Sequence, residues 1–204
     1  MFKKKIFIII AMVILLIPIV FIVKNKINVN FENLSIIDQK MLAEYDKFYK
    51  ETQEKEIWRD FNLKDKTILA INGKFGEAYL INPKEKVNNI FTKEIKLPTN
   101  FSITVYRVSN IAPEVLKLIF DGNFNSIDKK YNVYGQDVYY VRYNKTSIEQ
   151  QFTSQHFITF LSHEAFHYYM QKKWVNGTTY DISNLSEIGK SLLFDEYEVL
   201  GKIQ

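Results

Sequence analysis

The chain contains no cysteine, so it forms no disulfide, carries no thiol nucleophile, supports no lipoprotein anchor and offers no thiolate to a metal. Histidine is almost as scarce, with three in 204 residues, which makes any histidine pattern rare by chance. Seven glycines and four prolines are scattered along the chain. They build no phosphate-cradling glycine loop and no low-complexity segment. Acidic residues are missing from residues 1–31, which hold five lysines; the remaining chain carries 22 basic and 23 acidic residues. The net charge of +4 is therefore an N-terminal property. No basic patch or RNA-binding aromatic signature is left to call for nucleic acid.

Against that scarcity, two of the three histidines fall in His163-Glu164-Ala165-Phe166-His167, an H-E-x-x-H pattern. Residues four apart on a helix stand one turn above each other, so His163 and His167 can present two imidazoles to one Zn²⁺ with Glu164 beside it. Apolar residues at Phe152, Phe157, Phe160, Leu161, Ala165 and Tyr168 recur at helical spacing. They predict a largely buried helix from about Gln150 to Lys173 with the motif in its middle. An amphipathic core helix with incidentally packed histidines is the plain alternative, but two histidines and a carboxylate are costly to bury unpartnered. His156 lies seven residues before His163, about 10 Å along a helix axis. That is too far to share an ion, so a core or cleft histidine is expected there.

The motif and its uncharged flanks (Phe160, Leu161, Ala165, Phe166, Tyr168, Tyr169) resemble the zincin metallopeptidases. The resemblance covers one helix. It implies His163 and His167 as zinc ligands and Glu164 as general base for the attacking water. The metzincin extension fails: Met170 occupies its glycine position, Lys173 its third-histidine position, and no histidine follows His167. A thermolysin-like gluzincin arrangement then implies a third ligand that is a carboxylate on a later helix. The segment Asn184 to Leu200 is the candidate, with Ser186 as cap and Gly201 as stop. Glu196 is four residues past Leu192 and four before Leu200 on the apolar stripe, and is the preferred ligand. Glu187, twenty residues after His167, is its competitor, although a first-turn Glu is also favoured by the helix dipole. The implied function is a zinc-dependent metallopeptidase acting on a peptide or protein substrate. The alternative is an inactive zinc-binding relative serving as a regulatory module.

Ile6 to Val23 is an eighteen-residue run without a charge, flanked by Lys3, Lys4, Lys5 and by Lys24 and Lys26. Its length meets the roughly 17 to 25 residues of a membrane span, and it lacks a small-residue cleavage site. The sequence therefore predicts a single-pass anchor in residues 1–27, with the lysine asymmetry placing the following domain outside. Residues 28–204 are expected to form one α+β, zincin-like domain: an α+β part, 28–145, and a helical metal-binding part, 146–204. In this scheme the active-site helix packs on the helix that follows it. Asn33 to about Trp58 reads as a long amphipathic helix with Asp38, Lys40, Glu44, Lys47 and Lys50 on a solvated face. Thr67–Ile71 and Glu77–Ile81 read as a hairpin, Ser102–Val108 as a strand, and Pro113 as the start of a short helix. Gln136–Tyr143 alternates as a strand, either the substrate-binding edge strand of a zincin or an interior strand of the same sheet.

Overall fold

The structure is a computed structural model and describes residues 16, 18–27, 29–53, 61–127 and 129–171. All these residues but Gln171 lie in one compact unit, Met1–Met170. A helix (α1) over residues 18–26 comes first, followed by α2, Ile36–Gln53. Next are β1 (Thr67–Asn72), β2 (Ala78–Ile81), β3 (Thr92–Glu94), β4 (Val105–Val108) and the short α3 (Pro113–Leu116). The chain continues with β5 (Tyr131–Val133), β6 (Gln136–Tyr143), α4 (Lys145–Glu149) and α5 (Phe157–Phe166), which runs into a π-helical turn, His167–Gln171.

The six strands form one sheet in the order β3-β4-β2-β1-β6-β5. All neighbours are antiparallel except β1 and β6, which run parallel from Thr67↔Val138 to Asn72↔Tyr143. Both central strands are buried on both faces, as strands covered by helices on each side must be. Ile68, Ala70, Tyr139, Val141 and Tyr143 pack with α2 and α5, while Leu69, Ile71, Val138 and Tyr140 pack with Val115 and Leu118 around α3. The alternation expected along β6 therefore does not separate a wet face from a dry one.

The α+β class holds, but the expected N-terminal transmembrane helix is not supported: among the described residues no helix is long and apolar enough to cross a membrane. The end of α1 is tied into the domain. Arg107 of β4, 7 % exposed, donates to the carbonyls of Lys24 (2.7 Å), Asn25 (3.2 Å) and Ile27 (2.9 Å). Its guanidinium thereby satisfies the orphan carbonyls of a helix C-terminus. Asn25 donates to Phe91 O at 2.8 Å, and Lys24 pairs with Glu77 at 3.5 Å. A chain that starts at residue 28 removes all three acceptors from a buried cation. Such a chain is expected to lose about 3 kcal/mol of stability relative to the full chain in urea unfolding; equal midpoints and slopes would show that the contact contributes nothing.

The long helix α2 buries Met41, Leu42 and Tyr45 as its spacing predicts. Its expected solvated face holds at Lys40, Lys47 and Lys50, which are exposed, and fails at Asp38. Asp38 is 2 % exposed and accepts from Asn72 Nδ2 (2.7 Å), Tyr79 Oη (2.9 Å) and Tyr143 Oη (2.5 Å). Asp46 is also buried, accepting from the Ser102 amide at 2.7 Å and pairing with Lys50. Asp38, on the face predicted to meet water, and Asp46 thus dock α2 onto the sheet and the 100–102 loop.

Candidate metal and catalytic site

The motif helix is shorter than its apolar periodicity suggests. Asn144 and Ser147 form a reciprocal capping box that starts α4, which ends at Glu149. Phe152 then adopts a left-handed backbone (φ 63°) with its ring fully exposed, and α5 restarts at Phe157 with His156 as N-cap. Phe152 consequently does not belong to the helix stripe. The motif lies in the C-terminal half of α5 rather than at the middle of a long helix.

Three contacts set the rotation of α5. Phe157 stacks edge-on against Tyr143 at 5.6 Å, Phe160 stacks edge-on against Phe124 at 5.3 Å, and Leu161 and Ala165 are fully buried against the sheet. The opposite side of the helix carries His163 into solvent, with His167 half-buried one turn on. The two rings stand 4.5 Å apart between centroids at 76°, and their Nε2 atoms approach to 3.0 Å. Nitrogens of two imidazoles sharing a tetrahedral zinc at 2.0–2.1 Å would lie about 3.3 Å apart. The two nitrogens share a hydrogen bond, which brings both Nε2 atoms to one place on the helix surface, about 0.3 Å closer together than one shared ion would hold them.

The helix changes character at His167. Its amide donates to both the His163 and Glu164 carbonyls, and the turn that follows is π-helical. Such one-turn expansions recur at functional sites because they re-aim side chains without ending the helix. Here the wider turn seats Tyr168 and Tyr169 side by side on Tyr139 of β6, at 5.5 and 6.1 Å between ring centroids. Tyr168 also donates to Lys129 O at 3.1 Å. Phe61 closes this aromatic cluster against Phe166 (5.6 Å) and Tyr169 (5.9 Å), and Lys66 lies 4.5 Å over the Tyr169 ring.

Tyr139 is the residue of this site that sequence reasoning missed. It is fully buried beneath the motif, and its hydroxyl has no hydrogen-bond partner among the described residues. Burial, and after it the negative charge of Glu164, push the hydroxyl well above the ordinary tyrosine value, so it keeps its proton. The available signal was the strand period: Tyr139, Val141 and Tyr143 share the face that α5 covers.

His156 stands apart from the pair, as its distance along the chain requires. Its Nε2 is 3.2 Å from Oε2 of Glu44 on α2, an ion-pair distance without the angles of a directed hydrogen bond. Burial raises the Glu44 pKa, and the opposing charges of His156 and Lys40 offset part of that rise. This contact fastens the start of α5 to α2.

Of the two readings of Gln136–Tyr143, the interior strand is correct. β6 lies between β1 and β5, and the chain at residues 123–125 covers the rest of its outer edge. The Arg142 amide donates to Asn123 O (2.7 Å), Phe124 bridges Val141, and the Asn125 side chain contacts both the Tyr140 amide (2.8 Å) and Val138 O (3.3 Å). No β6 edge is left for strand addition by a substrate.

The described residues supply two of the expected ligands, His163 and His167, and the expected base, Glu164. No group of three His, Cys, Asp or Glu side chains able to hold a metal occurs among them. Glu196 and its competitor Glu187 lie outside the described residues. No protein-family model, curated protein or solved structure matches this chain.

Proposed function

We propose that the chain is a zinc-dependent metallopeptidase that hydrolyses peptide bonds at the exposed face of α5. The observation that supports this best is the convergence of the His163 and His167 Nε2 atoms to 3.0 Å on that face. His163 and His167 are the ligands in this proposal; Glu196, the third ligand that the zincin resemblance implies, lies outside the described residues. A zinc ion there supplies Lewis acidity, which lowers the pKa of water and polarises a peptide carbonyl. Glu164, adjacent in sequence to one ligand and half-buried, takes the proton from the attacking water and returns it to the leaving amine. The aromatic cluster beneath the π-turn fixes the helix, so the base and the two imidazoles keep their relative placement.

The test is metal content and turnover of the full chain. At neutral pH the protein is expected to hold one zinc per chain after dialysis against trace metal. His163→Ala and His167→Ala should each lose that stoichiometry while remaining folded by circular dichroism. Hydrolysis of a quenched peptide library should appear with zinc and vanish with chelator. A wild-type protein that binds no zinc, or that binds zinc and cleaves no peptide, sinks the proposal.

A further inference from the structure

We infer that one end of the sheet is a docking surface for a lipid bilayer, with Phe75 and Phe120 entering its interfacial layer. The strand register defines that end: Asn72, Ala78, Thr92, Val108 and Tyr143 lie there together. Six large apolar side chains belong to it, Val23, Ile27, Ile36, Phe75, Ile90 and Phe120, and they are 48–91 % exposed. Phe75 is in the turn between β1 and β2, and Ile90 is two residues before β3. Ile36 opens α2 two residues before Asp38, which accepts from Asn72 and Tyr143. Arg107, next to Val108, holds the Ile27 carbonyl, and Val23 lies four residues earlier on α1. Arg142, next to Tyr143, holds the carbonyls of Leu118 and Gly122 on either side of Phe120. Exposed apolar residues gathered in this way mark an interaction surface. Two features choose lipid as its occupant. The sequence that leads through α1 to this end is uncharged from Ile6 to Val23, a composition suited to acyl chains. Lys24, Lys26 and Lys74 stand exposed at the same end, where ammonium groups meet anionic headgroups. The association is interfacial and needs no spanning helix. It does not rest on the peptidase proposal. The motif helix α5 starts at this end, where Phe157 stacks on Tyr143, and carries His167 about 15 Å farther along its axis.

The chain has no cysteine, so one introduced thiol carries one label. An environment-sensitive fluorophore is attached in the full chain to Phe75→Cys, to Phe120→Cys and, as a control, to Lys84→Cys. Lys84 is exposed in the loop that follows β2, at the opposite end of the sheet. Vesicles of equal parts phosphatidylcholine and phosphatidylglycerol are the probe. The labels at positions 75 and 120 should shift to the blue and become accessible to a quencher carried on the acyl chains. The label at position 84 should stay unchanged. The double variant Phe75→Ser with Phe120→Ser, folded by circular dichroism, should partition onto the same vesicles about tenfold more weakly than the parent. Labels at 75 and 120 that stay in water overturn the inference, whether the chain remains free of the vesicles or is held only through residues 6–23. A parent that dimerises without lipid through Phe75 and Phe120, seen by sedimentation velocity, with both labels untouched by vesicles, also overturns it and assigns this end to a second copy of the chain.

Discussion

Glu164→Gln is expected to leave zinc stoichiometry unchanged and to lower kcat for peptide hydrolysis by about a thousandfold, within the range that a positioned acid-base group contributes. The substitution keeps the size of the side chain and its acceptor oxygen and removes only the ability to take a proton. Because Glu164 is half-buried on the flank of α5 and is not one of the converging nitrogens, the metal pair is untouched by the exchange. The measurement is burst-free steady-state hydrolysis beside metal analysis of the same preparations. A glutamine variant as fast as the parent would show that any hydrolysis uses another base, or comes from a contaminant. A parent that holds zinc but shows no hydrolysis would instead favour a zinc-binding module without turnover.

The second large effect concerns the fold beneath the site. Asp38→Ala should destabilise the protein by about 4 kcal/mol, because it strands two buried hydroxyls and a half-buried amide that now share one carboxylate. Those donors, on Asn72, Tyr79 and Tyr143, come from β1, β2 and β6. The loss therefore loosens α2 from all three strands, including the one that carries Tyr139. Asp38→Asn keeps an acceptor and should lose about half as much. The same cluster sets an alkaline limit. Burial first, and then the Asp38 charge, raise the hydroxyls of Tyr79 and Tyr143 above the ordinary 10.0. The folded state holds those protons more tightly than the unfolded chain does. The resulting stability is complete below pH 10 and is lost as pH rises beyond it. Urea midpoints across pH 8 to 11 for parent and Asp38→Ala check this: the steeper decline belongs to the parent, and parallel curves would rule the cluster out as its cause.

How much of this was legible differs from element to element. The hairpin of β1 and β2, the length of β6 and the apolar side of α2 follow from local periodicity, since one residue's neighbours at spacings of two or four lie within the same element. Asp38 shows where that stops. Its position among Lys40, Glu44 and Lys47 marks a polar face, but nothing local says that three donors from distant strands will meet it there. Phe152 fails in the other direction: its spacing fits the helix stripe, while the capping box at Asn144 starts a separate helix that ends before it. The apolar run at the N-terminus reads as a span by length and charge alone. The carbonyls of Lys24, Asn25 and Ile27, just past that run, are bound by Arg107, a residue at least 80 positions away.

For the candidate site, the sequence by itself determined the chemistry: two imidazoles and a carboxylate at helical spacing, in a chain with no cysteine and one other histidine to compete with them. Those choices are local because a helix places residues four apart on one side whatever surrounds it. Only the tertiary structure decided which way that side faces, what lies beneath it and which strand edge is closed. Rotation of α5 is set by Tyr143, Phe124 and the sheet, Tyr139 of β6 packs under Tyr168 and Tyr169, and residues 123–125 seal the edge. Each of these joins segments far apart in sequence, and their energies come from buried contacts that exist only once the layers have packed.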